Sequence, residues 1–167
     1  MAKYKIGDFV VHGREVGKIT DIRKDFRGMG DCYRIQSLSD ETLYVTTPVS
    51  TEDTALRAVI SKAEAKKLIG EMLDINTVEV EQRNAEAVYN GLIKSGDHRD
   101  MVKLIKTSYE KCEDKMSKGL QRNEKDKMFL RLGERLLYSE LAIALGMTFD
   151  EAKAHVISHL HALEKVA

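Results

Sequence analysis

The 167-residue sequence predicts an α+β protein in which a small antiparallel β-barrel, residues 1–60, precedes a five-helix bundle, residues 61–167. Two features of the sequence lead to this expectation. Up to Ile60 the hydrophobic residues alternate with a period near two between glycine-containing breaks, as in short strands. From Ser61 onward they recur every three or four positions, which indicates helices.

Five strands are predicted in the first region, from runs rich in β-branched and aromatic side chains. They cover residues 9–11, 16–22, 32–35, 43–47 and 56–60. The breaks contain Gly13 and the stretches 26–31 and 37–41, which carry the glycine, aspartate and serine favoured in turns. About sixty residues bury only a marginal core, so we expect this region to gain stability from a partner.

Capping signals delimit the five predicted helices. Capping boxes begin the first helix at Ser61 and the last at Thr148, because each is followed three residues later by a glutamate. Asp97 and Asn123 are predicted N-caps of two further helices. Gly96 and Gly146 are predicted glycine C-caps. Connections this short favour one compact bundle.

The third helix is predicted to bury one stripe of side chains and to expose the opposite face. The buried stripe consists of Val102, Ile105, Tyr109, Cys112 and Met116. The solvated face carries Lys103, Lys106 and Glu110. Cys32 and Cys112 lie far apart without a CxxC spacing, so we expect two buried thiols and no disulfide framework.

Several function classes find no support in the sequence. No apolar run reaches the roughly 18 residues of a membrane span, and no signal core follows Met1, so a cytoplasmic protein is expected. The stretch 13–18 has three residues between its glycines and no Ser or Thr after the lysine, which excludes a P-loop. His155 and His159 share a helix face but lack further ligands for a metal. The sequence therefore predicts neither an enzyme nor a cofactor.

Charge is distributed unevenly although the chain is neutral, with 27 basic and 27 acidic residues. Residues 99–135 hold eleven basic and seven acidic side chains, and the flanking helices compensate. A local basic surface suits salt-sensitive contact with nucleic-acid phosphates. The alternative interpretation is that these charges lie on a helical face exposed to water and bind nothing.

The order of features along the whole chain resembles the CarD/CdnL family of bacterial RNA polymerase-binding transcription regulators. The matching segments are residues 7–12 (GDFVVH), 16–19 (VGKI), 44–49 (YVTTPV), 56–57 (LR), 95–97 (SGD), 119–120 (GL), 124–125 (EK) and 136–144 (LLYSELAIA). Each segment alone is a weak signal. Their order and spacing together are more specific.

This resemblance implies a Tudor-like barrel, shared with the transcription-repair coupling factor, that docks on the polymerase β subunit by strand addition. The residues in the matching strand are Tyr44, Val45, Thr46 and Thr47. Arg23, Lys24 and Arg27 flank the neighbouring turn, where they are expected to meet acidic residues of the partner.

The resemblance also implies that the helical domain lies on promoter DNA at the upstream edge of the transcription bubble, without reading sequence. The expected contacts are Gln82, Arg83, Lys103, Lys106, Lys118, Arg122 and Lys125, of which Lys125 in the Glu-Lys pair is the best phosphate candidate. Family members commonly carry a tryptophan wedge at the start of the second bundle helix, followed by basic residues. That position falls on or near Gln82 here, and the chain has no tryptophan.

The resulting hypothesis is a monomeric cytoplasmic regulator, associated with the nucleoid through RNA polymerase, that tunes open-complex stability by binding one state preferentially. Two alternatives stay open. The helical domain of a polymerase-tethered adaptor would bind another protein, and a free-standing DNA-binding protein would not contact polymerase.

Overall fold

The computed structural model describes residues 2–121 and 123–166, with side chains up to Leu160. The chain divides into two compact units, residues 1–60 and residues 61–167. The first unit contains the sheet and one short helix, and the second contains the remaining helices. The α+β class predicted from the sequence is confirmed.

All five predicted strands are present. Their bounds are β1 Phe9–His12, β2 Glu15–Arg23, β3 Cys32–Ser37, β4 Tyr44–Pro48 and β5 Leu56–Ala58. Every pairing is antiparallel, and the order across the sheet is β4-β3-β2-β1-β5. A closed barrel was expected, but the sheet is open, because no ladder joins β4 to β5 among the described residues. Both strands are therefore edges.

The main hydrophobic cluster of the first unit lies on one face of this sheet. It is formed by Tyr4, Val10, Ile19, Tyr33, Ile35 and Leu56. Gly17 is required beside it, because a β-carbon at this position would collide with the Ile35 side chain. The alternation of hydrophobic and polar residues along the strands thus decides which side chains join this cluster. Gly17 leaves room on β2 for the Ile35 side chain of β3.

A buried polar network fastens the segment before β1 to a short helix, α1 (Glu52–Ala55). The Tyr33 hydroxyl donates a hydrogen bond to the Glu52 carboxylate and accepts one from the Tyr4 amide at 3.1 Å. Glu52 also accepts from the Lys3 amide at 3.1 Å. The bond from Tyr33 lowers the pKa of Glu52, and burial raises the pKa of Tyr33. No sequence pattern had indicated this network.

We expect Glu52→Gln to lower the free energy of unfolding by about 1–3 kcal/mol at pH 7, because it replaces a buried, charged acceptor of two hydrogen bonds by a neutral one. Since the folded pKa of Glu52 is depressed, its contribution is complete above the unfolded value, about 4.3, and is lost as the pH falls through the folded pKa. Urea unfolding of both proteins between pH 7 and pH 3 measures this difference.

Asp53→Asn is the matched control, because Asp53 neighbours Glu52 but is exposed and forms only a 3.7 Å ion pair with Lys3. This substitution should change stability by less than about 0.5 kcal/mol. If Glu52→Gln and Asp53→Asn unfold alike at every pH, the network does not stabilise the first unit.

Five further helices form the second unit in the described part of the chain. They are α2 Lys62–Glu71, α3 Ala85–Lys94, α4 His98–Ser117, α5 Glu124–Leu145 and α6 Phe149–Val166. The predicted caps are confirmed at Ser61, Asp97, Asn123 and Thr148, whose side chains accept first-turn amides at 2.7–3.2 Å. Gly96 and Gly146 have positive φ angles of 71° and 67°, as glycine caps require.

The core of the second unit is centred on α3, α4 and α5. Its buried residues are Val80, Ala85, Tyr89, Ile93, Leu104, Phe129 and Leu136. Gly133 allows close packing of α5 on α4, since a β-carbon there would lie 3.0 Å from Ile105. Tyr89 is fully buried and its hydroxyl donates to buried Asp126 at 2.8 Å, so this tyrosine belongs to the core.

The predicted buried stripe of α4 is only partly right. Val102 and Cys112 are buried, whereas Tyr109 is 56% exposed and Met116 is 49% exposed. The buried side instead includes Leu104, Thr107 and Ser108. The reason is that α4 also contacts the segment before α3, where the Thr107 hydroxyl accepts from the Val78 amide at 3.1 Å. Hydrophobic spacing alone did not reveal this polar contact.

Candidate functional site

Strand β4 presents unpaired backbone groups along one edge of the sheet. The ladder between β3 and β4 is continued by hydrogen bonds from Ser37 N–H to Leu43 C=O, 3.0 Å, and from Val49 N–H to Asp31 C=O, 2.9 Å. Bonded and non-bonded pairs alternate in an antiparallel ladder. The odd-numbered residues of β4 therefore bond to β3, and the N–H and C=O of Tyr44 and Thr46 point away from the sheet.

The usable edge is short. Pro48 has no N–H, and its carbonyl accepts from the Thr51 hydroxyl at 3.1 Å. Val45 and Thr47 have their main-chain groups turned towards β3, and Thr47 is also buried. Of the four residues predicted to dock a partner, Tyr44 and Thr46 offer both main-chain groups and exposed side chains.

The predicted basic residues lie in and beside the turn between β2 and β3. Arg23 pairs with Cys32, which pairs with Pro48, so this turn lies at the Pro48 end of the edge. The guanidinium groups of Arg23 and Arg27 lie 5.5 Å and 5.2 Å from the centre of the Phe26 ring. Arg23 also contacts the Asp21 carboxylate at 3.5 Å, so Arg27 is the arginine that, among the described residues, presents uncompensated positive charge on the aromatic ring.

The conformation of this turn is fixed by Asp31. Lys24 contacts the Asp31 carboxylate at 3.0 Å, and the Asp25 amide donates to it at 3.3 Å. The hydrogen bond from Lys24 lowers the pKa of Asp31 below its ordinary value. Asp25 and Arg27 have positive φ angles of 46° and 49°, which non-glycine residues rarely adopt. Lys24 is thus partly neutralised, whereas Arg27 has no carboxylate partner among the described residues.

A polar cleft of about 210 Å³ lies within the second unit. Gln82 and Lys125 both line it, so the structure brings together two of the predicted DNA contacts. Lys111 and Lys115 line it as well, and both belong to the basic stretch although neither was selected from the sequence. Asn123 contributes an amide at the beginning of α5.

Acidic residues offset part of the positive charge of this cleft. Glu81, Asp114 and Asp126 are among its lining residues. The Lys125 ammonium lies 3.4 Å from Glu86. Burial and the Asp126 carboxylate raise the pKa of Tyr89, so its phenol stays protonated and donates to Asp126 at neutral pH. Lys111 and Lys115 have no ion pair at 4.0 Å or less within the described residues.

The other predicted DNA contacts that the structure describes are not among the residues that line this cleft. Arg83, Lys103 and Lys118 are paired with Glu81, Asp100 and Asp114 at 2.7, 3.3 and 3.2 Å respectively. Arg122 lies outside the described residues.

The sequence predicts Lys106 on the solvated face of its helix, but the structure does not place it there. Its ammonium donates to the carbonyls of Met72 and Ile75 at 2.9 Å and 2.6 Å. It therefore satisfies the carbonyls at the end of the turn that follows α2.

Other reactive groups do not assemble into a site in the described part of the chain. Cys32 and Cys112 are buried, as predicted. His155 is exposed and His159 is half-buried, and no three His, Cys, Asp or Glu side chains among these residues are grouped to hold a metal. None of the described helices combines the length and apolarity needed to cross a membrane.

No family model matches the chain, and no curated protein matches it.

Proposed function

We propose that this protein is a transcription regulator that docks on the β subunit of bacterial RNA polymerase and contacts promoter DNA near the upstream edge of the bubble. The observation that carries the proposal is the free edge of β4, where Tyr44 and Thr46 present unpaired main-chain groups. In this proposal the protein tunes open-complex stability by binding and not by catalysis. It works in the cytoplasm, associated with the nucleoid through polymerase.

The proposed kinship with the CarD/CdnL family rests on the sequence segments that match it, and it implies a Tudor-like first unit. The open sheet is compatible with a rolled form, because adjacent residues that point to opposite faces, such as Val10 and Val11, are both buried. The cationic turn at the Pro48 end of the edge adds electrostatic attraction for an acidic partner.

The DNA-contacting part of the proposal is supported by the cleft of the second unit. Lys111, Lys115 and Lys125 meet there, and Gln82 occupies the position that the family resemblance assigns to the wedge. The acidic neighbours make weak, salt-sensitive binding the expected behaviour. Duplex DNA of several sequences should bind with similar affinity.

Lys125→Glu is expected to weaken binding of the full chain to duplex DNA and to lower the slope of log affinity against log salt by about one unit. The reason is the loss of one phosphate contact with its released counterion. Fluorescence anisotropy with a labelled duplex at several salt concentrations measures both quantities.

Lys66→Glu on α2 makes the same charge change at an exposed residue outside the cleft. It should leave the salt slope unchanged. Equal slopes for Lys125→Glu and the parent across several duplexes would show that Lys125 contacts no phosphate.

A polymerase-tethered adaptor is the second candidate, favoured by exposed apolar side chains on and just after α4. Tyr109, Met116 and Leu120 are each about half exposed or more. Such groups are more typical of protein contacts than of phosphate contacts. DNA binding that is absent at low salt, together with intact polymerase binding, would favour this candidate.

Purified core RNA polymerase provides the direct test of docking. The full chain, immobilised, should retain it, and a competing excess of soluble chain should release it. If core polymerase is not retained at low salt, the proposed docking is wrong, and salt-dependent DNA binding alone would then indicate a free-standing DNA-binding protein.

A further inference from the structure

A stacked pair of side chains, Arg34 and Tyr44, lies beside the free edge of β4. The centre of the Arg34 guanidinium is 3.8 Å from the centre of the Tyr44 ring, the closest of the cation–aromatic contacts in the described residues. Arg34 is directly opposite Thr46 in the ladder, so all three side chains are on one face of the sheet. The Arg34 guanidinium therefore lies over a side chain of β4, the strand that carries the unpaired edge.

The tyrosine is itself held in place. Gln36 donates one hydrogen bond to the Tyr44 hydroxyl at 3.3 Å and another to the Glu41 carbonyl at 2.9 Å. The ring is thus fixed at its hydroxyl end and covered by the guanidinium on its face. Stacking of this kind orders an arginine before a ligand arrives, which reduces the entropy lost on binding.

The charge of Arg34 is not neutralised by its neighbours. Asp21 is its direct partner in the ladder with β2, but that carboxylate contacts Arg23 at 3.5 Å and accepts from the Ile22 amide at 2.9 Å. No carboxylate lies within 4.0 Å of the Arg34 guanidinium among the residues that the structure describes. An ordered cation beside an unpaired strand edge is suited to bind an acidic side chain.

We propose that Arg34 selects the strand that pairs with β4, by binding a glutamate or aspartate on the face shared with Tyr44 and Thr46. This inference rests on the strand-docking part of the proposed function. Neighbouring strands are about 4.8 Å apart, so an incoming strand lies about 10 Å from β3. The Arg34 guanidinium, which already contacts the Tyr44 ring of β4, spans part of this distance, and a carboxylate side chain on the incoming strand can span the rest.

The same charge argues against a second copy of this chain as the occupant. Self-pairing through β4 would bring a second β4 strand to this edge, and β4 (Tyr44–Pro48) contains no acidic residue that could bind Arg34. An acidic strand of another protein is therefore the favoured occupant.

The test compares two short blocked peptides of alternating threonine and valine, one with a central glutamate and one with glutamine. Both are titrated into the isotopically labelled full chain, and binding is followed at the Tyr44 and Thr46 amides by NMR. The glutamate peptide should bind the parent about fivefold more tightly or better. Arg34→Gln should bind both peptides equally, and Arg34→Glu should prefer glutamine.

Arg14→Gln, in the exposed turn between β1 and β2, removes the same charge elsewhere and should keep the parent preference. Equal affinity of the parent for both peptides, or no shift of the two amides with either peptide at millimolar concentration, overturns the inference. Failure of the parent to bind core polymerase overturns the proposed function instead. If polymerase binds the parent and Arg34→Glu equally, Arg34 is not a selector.

Discussion

Thr46→Pro is expected to weaken binding of the full chain to core RNA polymerase by at least about tenfold. The Thr46 N–H points away from the sheet, and proline removes it and places its ring where the partner strand must approach. The substitution leaves the ladder to β3 intact, because Val45 and Thr47 make those bonds. Proline is tolerated at such an outward-facing edge position. Surface plasmon resonance with immobilised polymerase measures the loss.

Thr46→Val is the matched control for the side chain, since it keeps the N–H and the β-branched shape. It should bind polymerase within about threefold of the parent. Thermal unfolding of Thr46→Pro should stay close to that of the parent, which separates lost docking from lost folding. Unchanged affinity in a folded Thr46→Pro protein would move the docking surface away from β4.

Local signals were sufficient to predict most of the fold. The caps at Asp97 and Asn123 depend on one side chain and its own first turn, and alternation placed each strand within a few residues of its observed position. Closure of the sheet is different, because it depends on whether β4 and β5 meet. These strands are separated along the chain by α1, and no local pattern states their distance.

The site depended on contacts that sequence spacing does not encode. The Thr46 N–H points away from the sheet because hydrogen-bonded and non-bonded pairs alternate along the ladder. Knowing this requires the register of β4 on β3. Lys106 looked solvated because its helix neighbours are polar, yet its ammonium reaches carbonyls about thirty residues earlier. Arg34 gave no signal, since only the fold places it over Tyr44.

The same limit applies to the cleft of the second unit. Lys111 and Lys115 belong to α4, whereas Gln82 precedes α3 and Lys125 opens α5. A charge count over residues 99–135 detects the excess of lysine but not which lysines converge. Convergence depends on helix packing, and α4 is rotated relative to the expected stripe, with Tyr109 exposed.

Gln82→Trp is expected to lengthen the lifetime of the promoter open complex by roughly five- to a hundredfold, from about 1–3 kcal/mol of stacking per base. Gln82 is exposed in the turn before α3, so an indole fits there without entering the core. A tryptophan beside the lysines of the cleft would stack on bases unpaired at the upstream edge, whereas glutamine offers no comparable aromatic face.

Gln82→Leu separates stacking from apolar bulk, because leucine is hydrophobic but has no aromatic face. Its open complexes should decay at a rate close to that of the parent, while those of Gln82→Trp persist. The lifetimes are measured on one promoter by heparin challenge at a fixed salt concentration, with polymerase binding checked in parallel. If Gln82→Trp binds polymerase normally and leaves the lifetime unchanged, the cleft does not face the bubble, and the DNA-contacting part of the proposal is wrong.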